Sequence, residues 1–116
     1  MEYCIALTTA GSETEAEVIA SALIEENLAA CVSIHPIKSV YLWKGNLQRD
    51  AEWQLVIKTH VNHFETLCAR VTALHSYDVP ELVLLPIEQG SAEYLSWLAA
   101  QVGLSQKVPS SGPFSE

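Results

Sequence analysis

The segment from His75 to Glu81 gathers ionisable and conformationally restricted side chains between two apolar stretches. It combines an imidazole, the phenol of Tyr77 and the carboxyl groups of Asp78 and Glu81. Such groups can transfer protons, and their oxygen atoms can bind a metal ion. Because Pro80 restricts the backbone before it, we expect a fixed bend and not a mobile loop. The predicted binding residues are His75, Tyr77 and Glu81.

A purely structural interpretation of the same segment stays open. Asp78 and Pro80 are residue types that favour turns, here a turn that leads into the next strand. Tyr77 and Glu81 would then only form hydrogen bonds that hold neighbouring subunits together. Replacing Glu81 with Gln separates the two interpretations, because it keeps the shape of the side chain and removes its charge.

Three other histidines are weaker candidates. His60 and His63 lie three residues apart near the expected start of a helix, a spacing that can place two imidazoles on one side. No third ligand is marked nearby, so we interpret both as solvated histidines. His35 precedes Pro36, and we interpret it as a residue of a bend.

The three cysteines do not form a recognisable pattern. Cys4, Cys31 and Cys68 are odd in number, widely spaced and without a Cys-x-x-Cys pair. This arrangement indicates neither a disulfide framework nor a zinc site, and we expect reduced thiols.

Composition excludes several classes of function. The chain has 116 residues, with 6 Lys and Arg against 14 Asp and Glu, and a formal net charge of −8. Without a basic cluster, binding to nucleic acid or to an anionic membrane surface is disfavoured. The first residues lack the basic and apolar regions of a signal peptide, so we expect a cytoplasmic protein. Three Trp in so small a domain favour oligomerisation.

Periodicity predicts the elements that position these side chains. Strands are predicted where large and small residues alternate or form β-branched runs, and helices where apolar residues recur every three or four positions. Ser12 with Glu15, and Asn62 with Glu65, match the residue pair that caps a helix start. The short, nearly uncharged run 82–87 is typical of a strand buried on both faces. The predicted elements are strands 3–9, 28–34, 38–43, 51–59 and 82–87, a turn at 44–46, a break at Pro36, and helices over 12–27, from 62 and from 91.

This order predicts an α+β fold. The sequence β-α-β-β-α-β is that of the ferredoxin-like sandwich, with helices on one face of an antiparallel sheet and here an extra C-terminal helix. Residues 1–104 are expected to form this single domain. Residues 105–116 are rich in Ser, Gly and Pro and are expected to form a disordered tail.

Five motifs in order resemble the CutA divalent-cation tolerance family, over about residues 3 to 102. They are Leu-Ala-Ala-Cys-Val at 28–32, Ser-Val-Tyr-Leu-Trp-Lys-Gly at 39–45, Ile-Lys-Thr at 57–59, His-Ser-Tyr-Asp-Val-Pro-Glu at 75–81 and Tyr-Leu-Ser-Trp-Leu at 94–98. The resemblance implies a tight homotrimer, architecturally similar to PII signalling proteins and linked to tolerance of copper and other divalent metals. The implied cofactor is Cu(II) or another divalent cation.

The resemblance also implies a copper site, which this chain matches only in part. Family members credited with copper binding carry a Cys on the first strand and two adjacent His before the Tyr-x-x-Pro-Glu segment. Those positions correspond here to Thr8, Leu74 and His75, so His75 alone remains as a metal ligand. Cu(II) is bound well by thiolate and imidazole, and Thr8 and Leu74 offer neither. Cys4 is expected on the same strand face as Thr8, where a buried Cys is more often inert packing.

Bulky aromatic residues have two interpretations. They could line a ligand pocket. On the strands and a helix of a small domain, however, such residues more often belong to the core or to a subunit interface, and we favour the interface. These residues are Tyr41, Trp43, Trp53 and Trp97.

Other functions of this fold fit less well. An acylphosphatase-type enzyme needs an arginine-bearing anion cradle after the first strand, where this chain has Ala10, Gly11, Ser12 and Glu13. An RNA-binding domain of the RRM type is opposed by the acidic charge. We therefore expect a non-enzymatic trimer that binds a metal ion or small ligand between subunits. The alternative is a PII-like regulator that acts through a small molecule or a protein partner without metal.

Overall fold

The structure is a computed structural model that describes residues 2–103. The tail predicted over 105–116 lies outside the described residues. The elements are β1 (Tyr3–Ala10), α1 (Glu13–Glu25), β2 (Cys31–Trp43), β3 (Asn46–His60), a short 3-10 helix (Val61–His63), α2 (Phe64–Leu74), β4 (Val83–Pro86) and α3 (Ala92–Gln101). No helix among residues 2–103 combines the length and the apolar character needed to cross a membrane.

The four strands form one antiparallel sheet in the order β2-β3-β1-β4. This order and the succession of helices confirm the predicted α+β, ferredoxin-like class. Residues paired across neighbouring strands point to the same face, so the register divides the sheet into two faces. One face is covered by α1 and α2, and we call the other one the open face.

The hydrophobic core lies between the sheet and the first two helices. Ala6 and Ala10 of β1 are fully buried, and small side chains there allow the helices to approach the sheet closely. Apolar residues of α1 and α2 recur at helical spacing and fill the layer above. The buried members of this core are Ala6, Ala10, Ala16, Ile19, Ala20, Leu23, Leu28, Ala29, Leu55, Ile57, Leu67 and Val71.

The central hairpin is longer than the sequence indicated. Pro36 was expected to interrupt a strand, but β2 continues through it and pairs Pro36 with Trp53 of β3. A proline is tolerated because β2 is an edge strand, where the missing N–H can face away from the sheet. His35 therefore lies in this strand and not in a bend. Lys44 and Gly45 both have positive φ, which is the two-residue turn that suits a twisted hairpin.

The last strand also differs from its prediction. The uncharged run was expected to be buried on both faces, but β4 lies at the opposite edge of the sheet from β2. Val83 pairs with Leu7 and Leu85 pairs with Ile5, so all four side chains share the open face. Within this single chain, Val83 is 45% exposed and Leu85 is 46% exposed. The apolar character of β4 thus belongs to a face that α1 and α2 do not cover.

Of the two helix caps predicted from the sequence, one is confirmed. The side chain of Ser12 accepts a hydrogen bond from the backbone of Glu15. Ser91, for which no cap was predicted, accepts one from Tyr94. Asn62 does not cap α2. Instead the ring of His60 accepts from the backbone N–H of Asn62 at the start of the 3-10 helix.

Candidate functional site

His75 follows the last residue of α2, and both of its ring nitrogens are hydrogen-bonded. Nδ1 lies 3.0 Å from the backbone nitrogen of Tyr77, and Nε2 lies 2.5 Å from the carbonyl oxygen of Thr9. A backbone N–H can only donate, so Nδ1 must accept. A carbonyl can only accept, so Nε2 must carry the proton. The imidazole is therefore neutral, with its tautomer set by two backbone groups.

Tyr77 connects the bend to the sheet. Its hydroxyl donates to Oε2 of Glu52 on β3 across 2.9 Å, and its ring centroid lies 4.6 Å from that of His75. Burial raises the pKa of Tyr77 to about 12, with the Glu52 hydrogen bond and nearby negative charges acting in the same direction. A Cβ atom at Gly11 would lie 3.3 Å from the Tyr77 hydroxyl, so a side chain there would crowd the phenol.

Glu15 of α1 holds the bend from the other side. Its two carboxylate oxygens accept from the backbone N–H of Gly11 at 3.3 Å and of Ser76 at 2.9 Å. Burial alone would raise the pKa of Glu15. The hydrogen bonds from Ser76 and Gly11 outweigh that effect, and they lower the pKa below its ordinary value. The carboxylate therefore stays ionised and joins the bend to the loop after β1.

Glu81 does not join this group. Its side chain is exposed and makes no side-chain hydrogen bond or ion pair within the described residues. The structure thus brings His75 and Tyr77 together and leaves Glu81 apart in the single chain. The partners that the sequence analysis missed are Thr9, Glu15 and Glu52. Only Glu15 carried a signal, as part of a helix cap.

The three positions of the implied copper site can be tested for fit. Thr8 is fully buried, and its Oγ1 has no hydrogen-bond partner in the described part of the chain. Leu74 packs against the core and has no donor atom. The ring nitrogens of His75 are both engaged. Residues 2–103 contain no group of three His, Cys, Asp or Glu side chains placed to hold a metal ion. This donor set does not fit Cu(II).

Cys4 does not supply the missing sulfur. It is fully buried on the same sheet face as Thr8, which follows from the alternation of β1. Burial raises the pKa of the Cys4 thiol to about 11, so it stays protonated near neutral pH and is a poor metal ligand. Cys4, Cys31 and Cys68 are all free thiols, as expected.

His60 and His63 form hydrogen bonds with backbone groups in different parts of the fold. Nδ1 of His60 accepts from Asn62, and burial lowers the pKa of His60. Nε2 of His63 bonds instead to the carbonyl of Val102, after α3. The two rings thus hold separate backbone groups, and both are half-buried, so neither is the solvated histidine that the sequence predicted.

The aromatic residues divide between core and surface. Trp53 packs against the core, and Trp97 lies 5.6 Å from Tyr94, centroid to centroid. Trp43 near the hairpin turn is 61% exposed, and the exposed Tyr41 donates its hydroxyl to Asp50. Trp53 lies on the sheet face that the helices cover, whereas Tyr41 and Trp43 lie on the open face.

A groove of about 490 Å³ lies near the end of β4. Two carboxylates stand among its mainly apolar walls. None of the predicted binding residues lies in it. The lining residues are Glu2, Tyr3, Pro86, Ile87, Glu88 and Leu95.

Comparison with known proteins gives a consistent result. The family model described as CutA1 divalent ion tolerance protein matches residues 4–101. The divalent-cation tolerance protein CutA of Thermus thermophilus is 49% identical over 100 residues, covering 85% of this chain and 97% of the relative. The chloroplastic protein CutA of Arabidopsis thaliana is 51% identical over 81 residues, covering 69% of this chain and 44% of the relative.

A solved structure shares the fold. The structure of the periplasmic divalent cation tolerance protein CutA from Archaeoglobus fulgidus superimposes with a TM-score of 0.85 at 40% identity. The alignment covers 86% of this chain and 98% of that one.

Proposed function

This chain belongs to the CutA1 divalent ion tolerance protein family, and we propose that it is a homotrimer that acts in the response to copper and other divalent metals. In this proposal it binds a metal ion or a small ligand in clefts between subunits. The family is one of tolerance proteins and not of enzymes. The relatives named above come from more than one compartment. A cytoplasmic location for this chain therefore stays a prediction.

The apolar open face carries the proposal of a trimer. Ile5 and Leu7 of β1 lie beside Val83 and Leu85 of β4 on this face. Val56 of β3 joins them, because it pairs with Leu7. Burying such a face against other copies would remove apolar area from water, at about 25 cal/mol for each Å².

The hairpin of β2 and β3 adds apolar surface on both of its faces. Trp43 lies on the open face, whereas Leu42, which is 69% exposed, lies on the other face beyond the helices. A two-stranded ribbon of this kind is only marginally stable by itself. Contact with neighbouring subunits would cover it and its free edge.

A matched pair of variants tests this assembly. Val83 on the open face and Val18 on the outer side of α1 have similar exposures, 45% and 53%. Val83→Glu should lower the mass measured by light scattering from that of a trimer, because it buries a charge in the interface. Val18→Glu should leave the trimer intact. A monomeric wild-type protein at micromolar concentration would overturn the proposal.

We place the ligand cleft at the segment of His75, Tyr77 and Glu81. His75 and Tyr77 are already adjacent, and the exposed Glu81 carboxylate is free to meet a neighbouring subunit or a ligand. Glu81→Gln should abolish ligand binding and leave the trimer intact if Glu81 contacts the ligand. Lower thermal stability or dissociation instead would assign Glu81 to the interface.

The second candidate function is a PII-like regulator that binds a small molecule or a partner and no metal. The observation that favours it is the donor set at Thr8, Leu74 and His75, which does not suit Cu(II). Native mass spectrometry of the protein purified from its own cells distinguishes the two. Bound copper supports the metal function, and a bound organic mass supports the regulator.

A further inference from the structure

We infer that His75 in this chain is a positioning residue, which fixes the bend over residues 75–79 and holds Tyr77 against Glu52, and that it is not a copper ligand. The inference rests on the proposed cleft, since it specifies how one of its residues acts. We call the set of contacts around the bend the latch. The latch comprises the bonds from His75 to Thr9 and Tyr77, from Ser76 to Glu15, and from Tyr77 to Glu52.

Coordination at either ring nitrogen of His75 conflicts with the latch. A metal at Nδ1 would have to displace the N–H of Tyr77 from the lone pair it now occupies. A metal at Nε2 needs that atom without its proton, so the bond to the Thr9 carbonyl is lost. The neutral ring would then carry its proton on Nδ1, where it would face the N–H of Tyr77, donor against donor. Binding at Nε2 therefore breaks both bonds.

The other two positions of the implied copper site do not compensate for these losses. Thr8 offers a buried neutral hydroxyl, and Leu74 offers only carbon. A single imidazole that must first give up two hydrogen bonds is a weak site for Cu(II), which is bound well where several nitrogen or sulfur donors converge.

The latch determines the position of the Tyr77 phenol. The bond between His75 Nδ1 and the Tyr77 N–H sets the backbone of the bend. Glu15 fixes Ser76 to α1, and the phenol then reaches Glu52, which lies on the same open face as the residues proposed to meet another subunit. His75 thus acts on the cleft through Tyr77.

Two variants of His75 test this role through the pKa of the Tyr77 phenol, which a general loss of stability does not change. His75→Asn keeps a side-chain oxygen that can accept from the Tyr77 N–H, as in an Asx turn, whereas His75→Ala keeps none. The phenol titrations are followed by NMR in protein labelled with ¹³C-tyrosine, with Tyr94 as the internal control. In His75→Ala the pKa of Tyr77 should fall from about 12 towards the ordinary value of 10 as the phenol leaves Glu52. His75→Asn should retain the higher value. An unchanged Tyr77 titration in His75→Ala would overturn the role.

Copper itself provides the second arm. Cu(II) is added to the wild-type protein, and paramagnetic broadening of the histidine ring signals is recorded. The exposed His35 should broaden before His75, and His75→Ala should leave the copper affinity unchanged. Selective broadening of His75 by one equivalent, together with loss of affinity in His75→Ala, would overturn the inference.

Both arms are independent of the trimer. If light scattering showed a monomer while Tyr77 behaved as expected, the proposed assembly would fail and the latch would stand. If the trimer formed and His75 bound copper, the latch would fail and the proposed function would stand.

Discussion

Thr59 donates its buried hydroxyl to the carbonyl oxygen of Leu28 across 2.6 Å. The bond fixes the segment after α1 to β3. Thr8 lies on the neighbouring strand β1, four positions from Cys4, which pairs with Thr59. It is equally buried, but its hydroxyl has no partner among the described residues. The two threonines therefore have opposite energetic roles.

Replacing each with Val gives a matched comparison, because Val has nearly the same shape. Thr59→Val leaves the Leu28 carbonyl without its partner and should lower the free energy of unfolding by about 1–3 kcal/mol. Thr8→Val removes a buried hydroxyl that has no partner among residues 2–103, and it should be neutral or raise stability by about 1 kcal/mol. Urea unfolding of both variants checks this. Equal losses in the two would contradict the assignment.

The turn of the central hairpin can be improved. Lys44 has φ of 51° and precedes Gly45 at 79°. Lys44→Asn creates the Asn-Gly pair preferred in this turn and should relieve part of the roughly 1 kcal/mol that a left-handed conformation costs other residues. The thermal midpoint should rise. Gly45→Ala should lower it, and a rise in that variant would show that the turn has another conformation.

Acid should weaken the contact of Glu15 with the bend. The folded-state pKa of Glu15 is lowered from 4.5, so its contribution to stability is present above that pH and is lost as the pH falls through the folded value. Glu15→Gln should therefore flatten the decline of the unfolding free energy in this acid range. Glu17→Gln, the same charge change on the same helix, is the control. The same flattening in both variants would remove the special role of Glu15.

Restoring the donors of the family's copper site should change the metal chemistry. Thr8→Cys with Leu74→His supplies a thiol and a second imidazole, and calorimetry should then detect tighter binding of Cu(II) than in the wild type. Since coordination through His75 opens the latch, loading with copper should also shift the Tyr77 titration towards its ordinary value. Unchanged affinity would place any bound metal elsewhere.

Local patterns were sufficient for most of the fold. Ser12 caps α1 as the sequence indicates, since a cap involves residues three positions apart. The strand break predicted at Pro36 was wrong, because a proline is tolerated where β2 lies at an edge of the sheet. Within the single chain the prediction that β4 is buried on both faces was also wrong, because the edge and the open face are properties of the whole sheet.

The contacts within the candidate site could not be predicted from local patterns. Glu52 meets Tyr77 across 25 positions of sequence, and Thr9 meets His75 across 66. Nothing in the neighbourhood of either residue marks the pair. The motif around Tyr77 identified the segment, but only the packing of α2 against the sheet that contains β1 and β3 decides which groups meet it.

Pro36 has a consequence for how this protein avoids uncontrolled aggregation. A long free strand edge is a template onto which further chains can add. Since proline has no N–H, the outer edge of β2 lacks a donor near its middle, and no incoming strand can form a regular ladder along all 13 residues. The residue acts as a gatekeeper. It divides the edge into two short stretches, so that a newly made chain resists runaway strand addition before it finds its proper neighbours.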